Sequence, residues 1–532
     1  MHLAPSTAWV WLIACAVVIL FFPLAAQFGN LKGKLSSFRT WVWAIALLGI
    51  VAAGFIPFTF DTDIATFEVQ PFIFFITGTL LGVLFLGEFH RMNTQKKLKH
   101  PQRVHAERRT RYSKAVEHLA YPNPAVRASA ISTLAGLVDE WLADEQLSVE
   151  ARQKEGQVIV NALCAYVRSP FARAFKAEAF ESDTPPANYA GDFATDLAAF
   201  RGEQDVRRSV FVEMSKRSST LAENEKGEVA VVPGAWSGFE FDFSRTVVFY
   251  PLDGLTIENA DFSAAKFCNG SDFSGAAFVG DANFTRAVFN QDARFSDVTF
   301  MGAADFSNTR FAGDAFFRWV AFSSNADFRE ASFGGDADFH DTAFAEDAGF
   351  SGASFEGSAG FFRSSFGGNA SFFRTDFAGV AEFREAVFEG HAGFNAATFY
   401  GDAHFSRATF EGLAGFRDAA FEAGAEFYGA SFVQTADFCD SSFVKSPPLF
   451  AAKNVESGEV YRARFAALSA GLEATGQEAH NFAVYEDSQP IPLGTAGLNG
   501  VGYRIPVSTV LFDPASWDER QKEYTRFSEP AQ

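Results

Sequence analysis

From residue 262 to residue 443, phenylalanine returns at alternating gaps of five and six residues. One series runs Phe262, Phe273, Phe284 and onward to Phe438. A second runs Phe267, Phe278, Phe289 and onward to Phe443, and each series steps by eleven without a miss. This period is neither the 3.6 of a helix nor the 2 of a plain strand. It requires a unit that is short, is repeated many times, and offers one large apolar side chain per segment. The stretch ADFREASFGGDADFHDTAF, residues 326–344, shows the unit well, with Phe328, Phe333, Phe339 and Phe344. Two places before each Phe stands a small residue, here Ala326, Ala331, Ala337 and Thr342. On an extended strand these two positions point to the same side, so each segment buries one large and one small residue. Gly and Asp gather in the longer gap, as in Gly335-Asp336 and Gly401-Asp402, where the chain must turn. Many short strands joined by tight corners describe a β-solenoid.

The units A-D-F-S, A-N-F-T-R and A-D-F-R-E resemble pentapeptide repeats, in which a small residue and a polar residue precede a central Leu or Phe. The resemblance implies a right-handed, four-sided β-helix over about residues 236–445. One extra residue in every second unit departs from strict five-residue spacing. Four sides per coil give each turn two periods of the series and four phenylalanines. Two sides would give each turn a single period and make the rod twice as long. The four-sided winding is favoured because each Phe keeps its small partner and the extra residue fits a corner. The core is expected to include Phe262, Phe267, Phe273, Phe278, Phe328, Phe333, Phe339, Phe344, Phe394 and Phe399.

Ahead of the repeat, residues 1–90 contain three apolar spans: Ala8–Gln27, Trp41–Phe60 and Pro71–Gly87, none with a charge. A bilayer core of ~30 Å needs ~20 such residues, so three transmembrane helices are expected, the third at the short end. Lys32, Lys34 and Arg39 follow span one, and Arg91, Lys96, Lys97, Lys99, Arg103 and further basic residues follow span three. The positive-inside rule then places the N-terminus outside and the repeat in the cytoplasm, anchored to a cell (inner) membrane. Residues 91–235 have helical spacing, with a start at Asn123-Pro124, a second helix in QVIVNALCAYVRSPF and a third from Asp205 to Arg217. Residues 182–198 and 223–238 are expected as loop and linker. This helical connector resembles the segment joining membrane spans to repeats in bacterial pentapeptide-repeat proteins. Residues 446–532 are expected to cap the open end, with one or two helices in Val455–Tyr485. The fold class expected is therefore membrane α-helices plus an all-β solenoid, with an α-helical connector.

No GxxxxGK[ST], GxSxG or HExxH motif occurs. Cys15, Cys164, Cys268 and Cys439 lack metal or disulfide spacing, and His340, His391 and His404 fall at outward or corner positions. No catalytic residue, cofactor or metal is expected, and the chain is not expected to be an enzyme. The net charge is −20, and residues 261–443 hold 26 acidic and 11 basic side chains. An acidic balance argues against direct nucleic-acid binding. The expected partners are a lipid bilayer, an unidentified cytoplasmic protein and a second copy in a homodimer. The function expected is a membrane-anchored scaffold for protein–protein interaction. The resemblance also implies an alternative, a DNA mimic that modulates a type II topoisomerase.

Overall fold

The computed structural model describes residues 70–223, 229–268, 271–453, 458–468 and 480–532. The chain divides into two compact units, residues 1–110 and 111–532. The first two expected spans lie outside the described residues. The third falls in helix α1 (Gln70–Leu119), which runs on through Gly87 without a break. Among the described residues no helix is long and apolar enough to cross a membrane. Leu84 and Phe85 of α1 are 59% and 71% exposed.

In the second unit, helices α2 (Pro124–Leu142), α3 (Val149–Arg168) and α4 (Phe193–Ser215) form the connector, with a 3₁₀ segment at Ala172–Phe180. The Asn123 side chain caps α2 by accepting from the Ala125 N–H, and Pro124 occupies the first turn, where its missing N–H costs nothing. Arg127 then clamps the preceding turn by donating to the carbonyls of Tyr121 and Pro122 at 2.8 and 2.9 Å. α4 begins a dozen residues before the expected Asp205 and takes in the end of the expected loop. Its start is set by Asp192, whose carboxylate accepts from the Thr195 N–H. The expected linker is also ordered in part. Thr220–Glu223 pairs antiparallel with Val229–Val232, and Trp236 is fully buried against Arg217.

From Phe241 onward the chain winds as a four-sided solenoid. Successive strands of two residues belong to four parallel sheets, with the first-side strand Ala326–Asp327 followed by Ser332–Phe333, Ala337–Asp338 and Ala343–Phe344 on the second, third and fourth sides. Ala326 pairs with Ala348 and Phe333 with Phe355, so one coil takes 22 residues. The sheets are 10, 10, 8 and 11 strands deep. The ten phenylalanines named above are each at most 1% exposed. Within a column the rings stack nearly parallel one coil apart, as Phe306, Phe328 and Phe350 do at 4.9 Å. Between columns they meet edge to face, as Phe328 and Phe339 do at 5.5 Å and 86°. The column spacing is that of the strands, and the crossed columns satisfy the ring quadrupoles.

Both ends of the stack are covered. At the start, Phe211 of α4 lies over Phe243 at 4.5 Å, and Phe200 of α4 and Phe171 lie over Phe249. At the far end, Phe450, Phe465 and Phe482 continue the columns of Phe427, Phe432 and Phe438. Here the expected helices give way to strands within the described residues. Ala451–Lys453 pairs antiparallel with Val460–Arg462, and Arg464–Ala466 extends the fourth side, followed by Val510–Phe512. The reason is the alternation in VYRARF, whose Tyr461, Ala463 and Phe465 share one face and let Phe465 occupy the next rung at 4.9 Å from Phe432.

Candidate interaction surface

The solenoid's outward residues are set by two kinds of corner. The tight corner follows the first and third sides. Ala265 donates to the Phe262 carbonyl at 3.0 Å across Ser263 and Ala264, and Ala264 has φ of 53°. A donor three residues on and positive φ at the third position describe a type II turn. A left-handed residue recurs every eleven residues from Ala264 to Asp440, yet most are not glycine: Trp319, Glu330, Asp341, Arg363 and Arg407 are among them. Where it is Asp, the residue before a first-side Phe supports this turn. The Asp261 carboxylate accepts from the Ser263 N–H at 2.8 Å, and Asp305 and Asp327 repeat the contact with Ser307 and Arg329. This is an Asx-turn, and it explains the polar residue of the A-D-F unit.

The wide corner follows the second and fourth sides. Its carboxylate caps the neighbouring coil: the Asp336 side chain accepts from the Ser358 N–H at 2.8 Å, and Asp281, Asp347 and Asp402 do the same for Ala303, Asn369 and Gly424. The glycines before them let coils touch. A Cβ on Gly390 would sit 2.3 Å from the Gly368 carbonyl oxygen, and one on Gly412 would sit 2.2 Å from that of Gly390. Much of the acid surplus is thus engaged with backbone N–H groups and is not a free acidic face.

The histidines divide in the same way. His391 is exposed, and its Nδ1 accepts from the Leu413 N–H at 3.0 Å, replacing the corner carboxylate. His404 Nδ1 lies 3.0 Å from Glu426 one coil away. His340 contacts Asp338, which also binds Arg318. Asp338 is only 8% exposed. Burial alone would raise its carboxyl, but the His340 and Arg318 contacts hold it below the usual range. Sequence spacing gave no sign of the Arg318 and Glu426 contacts, because those partners sit on neighbouring coils.

Cys164 is buried in the connector and desolvation pushes its thiol up to about 12, while burial raises that of Cys268 and the Asp440 contact that of Cys439. None is set up as a thiolate. Among the described residues no three His, Cys, Asp or Glu side chains converge as a metal ligand set. What the surface does offer is exposed aromatic side chains on a fixed grid, with Trp319 at 57%, Tyr400 at 56% and Phe373 at 42% exposed. Trp319 is exposed although its backbone is left-handed, a costly conformation for a bulky residue.

A family model described as pentapeptide repeats (9 copies) matches residues 295–343 and 372–419. No curated protein and no solved structure matches the chain. The matched segments lie wholly within the wound coils, and the Asx-supported corner and stacked phenylalanines account for their motif residue by residue. Within the four-sided solenoid, residues 295–343 and 372–419 are pentapeptide repeats.

Proposed function

We propose that the chain is a membrane-anchored scaffold whose solenoid presents its outer surface to a cytoplasmic protein. The observation that carries this reading is the division of labour along each coil. Phe, Ala, Gly and corner Asp are committed to the winding, while the remaining outward positions vary and expose aromatic and charged side chains. Trp, Tyr and Arg are the residues that anchor protein interfaces. Anchoring is supported by the uncharged spans Ala8–Gln27 and Trp41–Phe60, by the basic residues after Gly87, and by the exposed Leu84 and Phe85. The surplus of acidic over basic residues keeps DNA mimicry toward a type II topoisomerase as a second reading. The corner carboxylates already bound to backbone argue against it.

The test is in-cell crosslinking and mass spectrometry on the tagged full-length protein after membrane fractionation. The expected result is a reproducible protein partner, in the membrane fraction, crosslinked to outward positions of the coils. Recovery in the soluble fraction would overturn the anchor. A topoisomerase as the crosslinked partner would favour the second reading.

A further inference from the structure

The second side of the solenoid is electrically polarised along its length. Its outward residues stack by strand register as Lys266, Val288, Arg310, Ser332, Ser354, Asp376, Thr398, Ala420 and Ser442. The tight corner beside it stacks from Arg245 through Arg286, Glu330 and Arg374 to Asp418 and Asp440, linked coil to coil by backbone hydrogen bonds. The early coils therefore carry Arg245, Lys266, Arg286 and Arg310, and the late coils Asp376, Asp418 and Asp440. Arg374 and Arg417 are the exceptions among the late coils; the Arg374 guanidinium lies over the Phe373 ring at 4.9 Å, and Arg417 pairs with Asp437 at 3.0 Å. All four early cations are exposed, and among the described residues none has an ion-pair partner. The third side behaves differently: Arg318, Arg363 and Arg384 each hold a carboxylate of their own chain. Between the two charged ends, the outward strand residues of the second side are small, Ser332 and Ser354.

We infer that a second copy of this chain docks antiparallel across this side. A two-fold axis between the rungs of Ser332 and Ser354 places Arg310 opposite the partner's Asp376 and Arg245 opposite the partner's Asp440. It leaves Arg286 and Lys266 within about one rung of the carboxylate at position 418 in the other copy. Arg374 falls opposite the partner's Asn308, one rung from the partner's Glu330. Each contact occurs twice, as an isologous interface requires. A parallel arrangement instead sets Arg310 and Asp376 each against its own counterpart. Counting the rung of Val247, which pairs with Lys266, the face is ten rungs deep, ~43 Å over nine strand spacings of ~4.8 Å, and about 20 Å wide for two strand residues and their corners. That is close to the ~800 Å² per partner of a stable interface. Small residues at Val288, Ser332, Ser354 and Ala420 allow the close approach. The inference stands on charge distribution and register, independent of the anchor.

The experiment is sedimentation velocity of the full-length chain in mild detergent, at tens of micromolar, in about 0.05 M and about 0.5 M salt. The screening length falls from roughly 14 Å to roughly 4 Å between them. A dimer is expected at low salt, weakening at least tenfold at high salt. The double variant Arg286→Glu/Arg310→Glu is expected to be monomeric, as is Asp376→Arg/Asp418→Arg. Mixing the two is expected to restore a dimer, because the reversed charges complement each other. All four positions are outward, and circular dichroism checks that the variants fold. A monomeric wild type at low salt overturns the inference. So does a dimer indifferent to both charge reversals, or variants that fail to pair when mixed.

Discussion

The solenoid and the helical connector keep their interiors in opposite ways. The solenoid fills its core with one residue type in a lattice, so each ring has nearly the same surroundings as the ring one coil away. The connector instead holds unrepeated polar clusters, the most buried of them around Arg207. Arg207 is 1% exposed, lies 2.7 Å from Glu203, and donates to the carbonyls of Val167 and Ser169 at 2.6 and 2.8 Å. Glu203 also receives Arg127 at 2.8 Å and the Tyr166 hydroxyl at 3.1 Å. The guanidinium of Arg207 stacks near Phe249, the ring that opens the solenoid, at 5.5 Å. A lattice tolerates a local fault because coils touch only their neighbours. A unique network does not, because removing one partner leaves another buried and unpaired.

The largest effect expected is that of Phe350→Ala in the middle of the lattice. It removes a ring stacked at 4.9 Å on both Phe328 and Phe372 and costs about 4 kcal/mol. Hydrogen exchange is expected to speed up in the coils holding these three rings and to stay unchanged in α2–α4. Faster exchange throughout the chain would break the comparison. Arg207→Ala is expected to cost about 3–4 kcal/mol by taking from Glu203 one of its two cations and from the Val167 and Ser169 carbonyls their donor. Its exchange signature is the reverse, with α3, α4 and the first coil affected together.

The far cap adds a pH dependence of its own. His480 is 6% exposed; its Nδ1 accepts from the Ala436 N–H and its Nε2 donates to the Ala466 carbonyl. Desolvation lowers its pKa from 6.5 to about 4. A depressed folded-state pKa gives stability that is fully present above about 6.5 and is lost as pH falls toward 4. The difference corresponds to about 3 kcal/mol. Urea midpoints between pH 7 and pH 4 are expected to fall more steeply in the wild type than in His480→Gln. Parallel slopes would show that this histidine does not govern the cap. The smallest effect is expected at the corner. Asp336→Ala frees the Ser358 N–H and costs about 1 kcal/mol. Asp336→Asn is expected to be near neutral in the same urea titration, since Asn369 already caps His391 in this way.

The same contrast explains what could be read from the sequence. The phenylalanine series carries the core positions of the coils by itself, because every core position repeats its neighbour. The Asn123-Pro124 start of α2 was equally readable, being a local signal. The buried cluster around Arg207 was not, since its partners lie on three separate elements and follow no period. Phe465 escaped for a related reason. The series breaks at Asn454, and Phe465 joins the column of Phe432 one period later than the winding demands, so the rhythm gave no warning. The polarity of the second side emerges only once the pitch of the coil is known, because charges adjacent in space are two periods apart in the chain.

That pitch is twice the period of the sequence, and the mismatch constrains how such a chain changes length over evolution. Loss or duplication of two periods removes or adds one whole coil and returns every later residue to its own side. Loss or duplication of a single period keeps all phenylalanines inside, so the interior does not register the event. Every later surface residue, however, moves half a turn around the axis, from first side to third and from second to fourth. Foldability would survive such a step while recognition is rewritten, so selection on the outer surface, and not on the core, has to police the single-period indel.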